Sequence, residues 1–392
     1  MKNKNRPIFI FIGIFLINIT LFMEVSNARY SALEKTKPIK IGIFYMKTER
    51  IPANKKTVIS SVMLGIDEIN EEGGVLKRKI EPVIVELEND LSSAAEQVKR
   101  IITEEKVSVV FCSGNSSVCE IVKPIFEKYK SILFCSCKSE GFEKHPNIIF
   151  TGTMPNQQII PVVKWCFENR KEKFFLIGSD TSYSKIFNLI IKNNINELKG
   201  EVVGEAYIPS GSGNFDEAMQ KIIQTKPDVI LNTILGESNV YFFINLRAKK
   251  IKPESVPVMS FNITEDEFKH LYAEEVYGNY LVKSYFQNID SEENRKFIKK
   301  LNRKYGLSQI TDDAVEAGYF GVYLWKQTVE DAETDNAEEV MRFIVGQNLN
   351  APEGMVCVNV GNQHTWKTIR IGKIEKDKQF EIIWSSDSPL QP

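Results

Sequence analysis

The sequence predicts an α/β protein of two lobes, each with a parallel-type sheet flanked by helices. A short apolar segment, a small polar turn and an amphipathic helix follow one another repeatedly, and this alternation is typical of parallel sheets. The chain has 392 residues, which is enough for two or three domains. The alternation also breaks at residues 153–156 and then restarts. The repeats lie at residues 107–117, 131–139, 174–180, 227–238 and 256–265.

The amino terminus differs from the rest of the chain. A basic start precedes an apolar run at residues 7–23, and the small residues 26–28 follow it. This pattern predicts a secretory signal peptide at residues 1–28, cleaved near Ala28, and hence a periplasmic or secreted protein. An uncleaved anchor helix is the alternative. The polar residues 29–37 are predicted to be a flexible lead.

Composition and charge exclude several classes of protein. Hydrophobic residues make up 43% and charged residues 26% of the chain, which is normal for a globular protein with a core. The 50 basic and 51 acidic residues nearly cancel, so neither nucleic acid nor an anionic membrane is expected as a partner. The six cysteines are interpreted as small buried apolar side chains. A thiolate metal site from Cys112, Cys135 and Cys137 is a less favoured alternative.

The predicted elements follow the alternation in chain order. The first lobe has strands at residues 40–44, 80–86, 107–111, 131–135 and 147–151. The second has strands at residues 174–178, 201–208, 228–233, 256–261 and 278–286. Helical periodicity lies between these strands and again at residues 292–305, 311–328 and 337–345. The tail alternates apolar and polar residues, as an antiparallel set does, at 355–360, 368–374 and 380–384.

The lobes are predicted to be discontinuous in sequence. The later helices return to the first lobe, and the tail joins the second. The predicted lobes are 38–153 with 287–350, and 154–286 with 351–392. Three crossings are expected, near residues 152–157, 284–289 and 350–354. Several parallel hinge segments suit a rigid-body closure around a ligand.

A series of short motifs resembles one protein family. The motifs lie in order at residues 140–143, 146–148, 155–158, 178–180, 257–261, 285–286, 311–314, 323–327, 351–354, 364–367 and 369–372. They resemble the type I periplasmic binding proteins of the branched-chain amino acid, amide and urea group. The similarity covers residues 38–386 and is closest to the urea-type substrate-binding proteins of ABC transporters. It implies a two-lobed Venus-flytrap fold with a small polar ligand in the cleft.

Candidate ligand-binding residues lie in the turns that follow the predicted strands, where ligands of parallel sheets bind. They are Gly114, Asn115, Ser116, Ser117, Cys135, Cys137, Ser139, Asp180, Thr181, Tyr183, Gly236, Glu237 and Asn262. The turn at 114–117 offers backbone N–H groups and hydroxyls to a carbonyl or carboxylate, or simply caps a helix. Asp180 accepts from an amide or ammonium, or else caps the next helix. Tyr183 stacks on the ligand and donates its hydroxyl.

The resemblance also indicates how this pocket differs from those of relatives. Relatives carry aromatic residues where this chain has Gly114, Cys135, Ser139 and Thr181. Smaller side chains enlarge the cavity, and pocket contacts decide which ligand is accepted. A bulkier polar solute, such as an amino acid or a short amide, is therefore expected at least as strongly as urea.

The sequence favours a non-catalytic protein without cofactor or metal. The three histidines are scattered, and no Gly-x-Ser-x-Gly motif is present, so neither a metal-ligand pattern nor a nucleophile elbow is indicated. The resemblance implies that the closed lobes present a small polar solute to an ABC permease. A sensor that presents the closed form to a signalling partner is the alternative, and an amide hydrolase is a weaker one.

Overall fold

The structure is a computed structural model that describes residues 37–46, 53–87, 91–113, 116–136, 144–263, 267–268, 270–306 and 311–392. Side chains at 46, 53–57, 91, 113 and 116–117 are not described. The predicted signal peptide and residues 29–36 lie outside the described residues. Within the described ranges, no helix has both the length and the apolar character of a membrane span.

The first lobe is a parallel sheet, as predicted. Within the described ranges its strand order is β2-β1-β3-β4-β5, and every neighbouring pair is parallel. The strands are β1 Ile39–Met46, β2 Ile80–Leu87, β3 Val109–Ser113, β4 Leu133–Cys135 and β5 Ile148–Phe150. The helices between them are α1 Ala53–Glu71, α2 Leu91–Thr103 and α3 Ser116–Lys128.

The second lobe has a mixed sheet. Its strand order in the described chain is β15-β14-β10-β9-β8-β6-β7. The parallel strands are β6 Lys173–Ser179, β7 Glu201–Ile208, β8 Val229–Thr233, β9 Val258–Ser260 and β10 Tyr280–Lys283. The antiparallel strands are β14 Arg370–Ile374 and β15 Phe380–Ser385. Its helices are α4 Pro155–Glu168, α5 Ser182–Glu197, α6 Asp216–Thr225, α7 Ser238–Ala248 and α8 Ala273–Val276.

The later helices pack on α1 or on one another. They are α9 Glu292–Tyr305, α10 Asp313–Asp331 and α11 Ala337–Ile344. Helix α10 packs along α1, where Gly318 lets the helices approach and Ser61 Oγ donates to the Val315 carbonyl at 2.6 Å. The fully buried Trp325 lies in the core between α10 and the first sheet.

The third crossing between the lobes comes later than predicted. A small antiparallel sheet is formed by β11 Asn348–Ala351, β12 Gly354–Val358 and β13 Thr365–Trp366. Val356 and Val358 of β12 pack in the first-lobe core, and the Phe150 ring of β5 stacks on His364 at 4.3 Å. The chain therefore passes to the second lobe at residues 367–369, and not at 350–354. The alternating pattern of β12 specifies a buried face but not which lobe buries it.

The interpretation of all six cysteines as plain buried side chains is wrong for two of them. Cys119 of α3 and Cys135 at the end of β4 form a disulfide. Cys166 is buried without a disulfide, and Cys357 is partly exposed. Burial raises the pKa of the Cys166 thiol to about 12, so this thiol stays protonated and apolar in character at neutral pH.

Candidate functional site

The candidate site lies at the carboxyl ends of strands β6, β8 and β9. These strands are parallel neighbours in the sheet, so their ends share one edge. The second-lobe residues that the sequence predicted lie in the turns after these strands or in the first turn of the following helix: Asp180, Thr181, Tyr183, Gly236, Glu237 and Asn262. Strands β5 and β10 also end where the chain crosses between lobes, so the carboxyl edges of both sheets lie beside the crossings.

In the turn after β6, one residue caps the following helix and its neighbour carries an exposed charge. Thr181 is the N-cap of α5, and its hydroxyl accepts a hydrogen bond from the Ser184 N–H at 3.3 Å. Asp180 is not the cap. Its backbone N–H donates to the Ile208 carbonyl at 2.7 Å, and its half-exposed carboxylate pairs with Lys185 Nζ at 2.5 Å. The carboxylate is thus held at the surface of this edge, where an ammonium or amide group can reach it.

Tyr183 and Asn262 connect two of the turns. The Tyr183 hydroxyl donates to Asn262 Oδ1 at 3.1 Å. The Tyr183 ring contacts Phe187, with ring centroids 5.7 Å apart, and Phe187 contacts Phe261 at 5.1 Å. These ring contacts, together with the hydrogen bond to Asn262, hold the Tyr183 ring in one orientation.

The turn after β8 depends on a glycine. Gly236 has φ +67°, in the left-handed region, with open space around it. Side chains other than glycine strain this conformation. Glu237 follows it, is exposed, and makes no side-chain cap to α7. A free carboxylate is therefore presented at the start of the helix.

Sequence reasoning missed the buried polar groups that hold these turns. Asn232 of β8 donates to Asn239 Oδ1 at 2.9 Å and to Ser260 Oγ at 3.0 Å, and accepts from the Ile234 N–H at 2.9 Å. Ser179 Oγ accepts from the Leu235 N–H at 2.9 Å. A polar residue inside the apolar run 229–233 is the signal that could have found Asn232, because buried amides need partners.

The first-lobe candidates are only partly described. Gly114, Asn115, Cys137 and Ser139 lie outside the described residues. Ser116 and Ser117 are the first two residues of α3.

Cys135 is the exception among them. Its side chain is fully buried and bonded to Cys119, so its sulfur does not line an open surface. Ser136 Oγ donates to the Cys112 carbonyl at 3.1 Å, which ties the ends of β3 and β4 together.

Another concave region lies at the opposite edge of the first lobe. A cavity of about 880 Å³ is lined by residues at the amino ends of β1 and β2, among them Lys40 and Arg78. These two side chains are already paired, with Glu105 at 2.7 Å and Asp335 at 2.9 Å. Ligands of parallel sheets bind at the carboxyl ends, so we place the candidate site there. In the described part of the chain, no three His, Cys, Asp or Glu residues are arranged to hold a metal ion.

A protein-family model matches nearly the whole described chain. Residues 39–392 match the periplasmic binding protein domain family. A curated relative, limonene hydroxylase from Geobacillus stearothermophilus, is 26% identical over 113 residues. That match spans 29% of this chain and only 21% of the relative, so it carries no argument about activity.

Solved structures show the same fold at low sequence identity. The isoleucine complex of LivJ, a branched-chain amino acid transporter binding protein from Streptococcus pneumoniae, has a TM-score of 0.76 at 18% identity, with 91% of this chain and 100% of that chain covered. A branched-chain amino acid ABC transporter ligand-binding protein from Burkholderia xenovorans has a TM-score of 0.81 at 16% identity, with 90% and 96% covered. A solute-binding protein from Rhodopseudomonas palustris, in complex with 3,4-dihydroxybenzoic acid, has a TM-score of 0.78 at 17% identity, with 91% and 99% covered.

Proposed function

The chain belongs to the periplasmic binding protein domain family, and from this premise we propose that it is an exported solute-binding protein. It captures a small polar solute, amide- or amino-acid-like, when its lobes close, and it delivers the solute to an ABC permease. The observation that supports this proposal is the polar edge built by the turns after β6, β8 and β9. That edge lies beside the segments that connect the lobes.

The turns after β6, β8 and β9 form a surface that we call the second-lobe wall. Its side chains favour a solute with both hydrogen-bond donors and hydrogen-bond acceptors. The carboxylates of Asp180 and Glu237 accept from ammonium or amide N–H groups. The relatives in the LivJ and Rhodopseudomonas complexes bind isoleucine and 3,4-dihydroxybenzoic acid, and both of these ligands carry a carboxyl group. An amino-acid-like solute resembles these ligands more than urea does, because urea has no carboxyl group.

Lobe closure is the proposed mechanism of capture. A solute that binds the open and closed forms equally shifts neither, so contacts from both lobes are required. On the first lobe, the start of α3 provides backbone N–H groups for a carboxylate. On the second, Tyr183 and Asp180 complete the contacts. Closure excludes water, which strengthens these hydrogen bonds.

The experiment is a thermal-shift screen of the purified protein with amino acids, short amides and urea. We expect amino acids to raise the melting temperature by binding the native state. For the best compound, Asp180→Ala should weaken affinity by more than tenfold, or about 1.4 kcal/mol. Glu168→Ala is the matched control, because Glu168 forms an exposed ion pair with Lys164 at the far end of α4. The ligand assignment is refuted if none of these classes of compound raises the melting temperature.

Two alternatives predict different results. If the protein is a sensor, the closed form should bind a signalling partner and leave the ATPase rate of a reconstituted permease unchanged. If it is an amide hydrolase, ammonia should accumulate when the protein is incubated with short amides. Stimulation of permease ATPase activity by the solute-loaded protein supports transport over both.

A further inference from the structure

A buried cluster of ionisable side chains lies beside the segments that connect the lobes. Lys367 Nζ lies 2.6 Å from Glu353 Oε1, and each side chain is only 1% exposed. Glu316 Oε1 accepts from the Glu353 backbone N–H at 3.1 Å, and Glu316 is fully buried. Arg370 donates to the Glu353 carbonyl at 2.7 Å and to the Ser284 carbonyl. Charged side chains are seldom buried without a specific arrangement.

The members of this cluster lie on both sides of the hinge. Glu316 is on α10 and Glu353 is in the turn between β11 and β12, and both elements pack with the first lobe. Lys367 is in the third crossing, between β13 and β14. Arg370 begins β14 of the second-lobe sheet, and Ser284 begins the second crossing. A rotation of the lobes therefore changes the distances between these carboxylates and these cations.

The cluster has more carboxyl groups than cations around Glu316. On its own helix Glu316 faces Asp313, and from the other packed elements it faces Glu353, Lys367 and Arg370. Asp313 Oδ1 accepts from the Tyr285 N–H at 3.0 Å. Further along, Asp312 caps α10 and faces Lys283 of β10. Three carboxyl groups beside two cations leave one negative charge without a counter-charge.

Buried oxygen atoms without hydrogen-bond partners mark the same place. Among the described residues they include Glu316 Oε2, Glu353 Oε2, Asp313 Oδ2 and Ser284 Oγ. An unpartnered buried acceptor is costly unless a proton, an ordered water or a ligand satisfies it, and a neutral water would not offset the excess negative charge. A metal ion does not fit, because no three acidic or metal-binding side chains of the described chain are arranged to hold one. A proton on one carboxyl supplies both the missing donor and the missing positive charge.

We propose that Glu316 carries a proton that acts as a switch in the hinge, so that ionisation of Glu316 changes the relative orientation of the lobes. When Glu316 is protonated, the first-lobe carboxyls hold Lys367 and Arg370 less strongly. When it ionises, its new charge attracts these cations and draws the crossings together. The proposal depends on the proposed function only in that the lobes move, and not on which solute binds.

The electrostatics give the direction of the pH effect. Burial, and then the negative charge of Glu353, raise the pKa of Glu316 well above its ordinary value of 4.5. The folded protein therefore binds this proton more tightly than the unfolded chain does. Its stabilising contribution is fully present below the unfolded pKa and is lost as the pH rises through the folded pKa.

The test is solution scattering of the solute-free protein between about pH 5 and 9, the range in which a raised carboxyl pKa is visible. We expect the radius of gyration of the wild type to change with pH. Glu316→Gln should stay at the low-pH value, because its side chain is permanently neutral. Glu275→Gln is the matched control, since the Glu275 side chain is only 7% exposed but lies in the second lobe beside Arg247. If Glu316→Gln follows the wild-type curve, the proposal is overturned. It is also overturned if the radius of gyration of the wild type does not change with pH.

A second measurement avoids the risk that Glu316→Gln does not fold. Infrared spectra of the wild type should contain the carbonyl band of a protonated carboxyl at neutral pH, which is lost as the pH rises together with the change in radius. Absence of this band would overturn the proposal even if solutes bind. If the band of the protonated carboxyl and the change in radius are both observed as expected but no solute binds, only the proposed function is refuted.

Discussion

Removing the positive charge of Lys367 should destabilise the protein strongly. Lys367 Nζ pairs with Glu353 Oε1 at 2.6 Å, and solvent reaches about one hundredth of either side chain. In Lys367→Met, the Glu353 carboxylate stays buried and loses its nearest cation. Arg370 cannot replace this cation in its present position, because its guanidinium bonds to the Glu353 backbone carbonyl. Breaking a buried pair on one side costs about 3–5 kcal/mol.

Methionine is the appropriate replacement because it preserves packing. The Lys367 ammonium lies 4.8 Å from the centre of the Phe320 ring, and a thioether near an aromatic ring is also favourable. The loss is therefore electrostatic and not a cavity effect. At about 2–4 °C per kcal/mol for a domain of 150–250 residues, the melting temperature should fall by about 6–20 °C.

The double variant Lys367→Met/Glu353→Gln separates the charge from the packing. It removes both charges, so we expect it to regain at least half of the lost stability, since buried pairs replaced on both sides are often neutral. Lys164→Met is the control, because its exposed pair with Glu168 at 3.8 Å is worth at most about 1 kcal/mol. Chemical denaturation of the wild type, of Lys367→Met and Glu353→Gln alone, and of the double variant gives the coupling energy. A loss below about 1 kcal/mol in Lys367→Met would refute the electrostatic argument.

Two further predictions concern the strands and turns behind the site. Gly178→Ala should lower the free energy of unfolding by about 1–3 kcal/mol through overpacking, because the new Cβ would lie 2.5 Å from Thr233 Oγ1. The control Gly213→Ala should be close to neutral, because the nearest atom to its Cβ would be 3.5 Å away. Equal losses of stability for the two variants in denaturation experiments would contradict this explanation. Replacing Cys119 and Cys135 together by serine should lower the free energy of unfolding by about 3 kcal/mol under oxidising conditions. The two residues are 16 apart in sequence, and a disulfide that closes a loop of that length restricts the unfolded chain. An unchanged denaturation midpoint would argue against the disulfide.

The α/β fold was predictable because each element repeats one local pattern. Buried parallel strands are continuous apolar runs, and the helices that cover them are amphipathic. The motif resemblance then predicted the family, which the match over residues 39–392 confirms. The urea-type specificity was a finer prediction than this match tests, because it depends on a few side chains.

The features that sequence reasoning missed depend on contacts distant in the chain. Asp180 and Thr181 are both good capping residues, and the choice between them depends on strand β7. The Asp180 N–H continues the pairing to the Ile208 carbonyl, so the helix begins one residue later, with Thr181 in an extended conformation. The Cys119–Cys135 disulfide likewise requires α3 to fold back over the end of β4, and spacing alone does not reveal that contact.

The second-lobe turns and the segments that connect the lobes are stabilised by different interactions, and this difference gives them different roles in the proposed mechanism. In the second lobe, buried side chains such as Asn232 and Ser179 hold the turns through hydrogen bonds within the lobe. That wall needs no solute to order it, so little conformational entropy is lost there on binding. Beside the crossings, by contrast, lie the buried ionisable side chains of Glu316 and Lys367, whose energies change with separation and protonation. The affinity for a solute should therefore depend on the hinge as well as on the wall, because the observed affinity includes the free energy of closing the lobes.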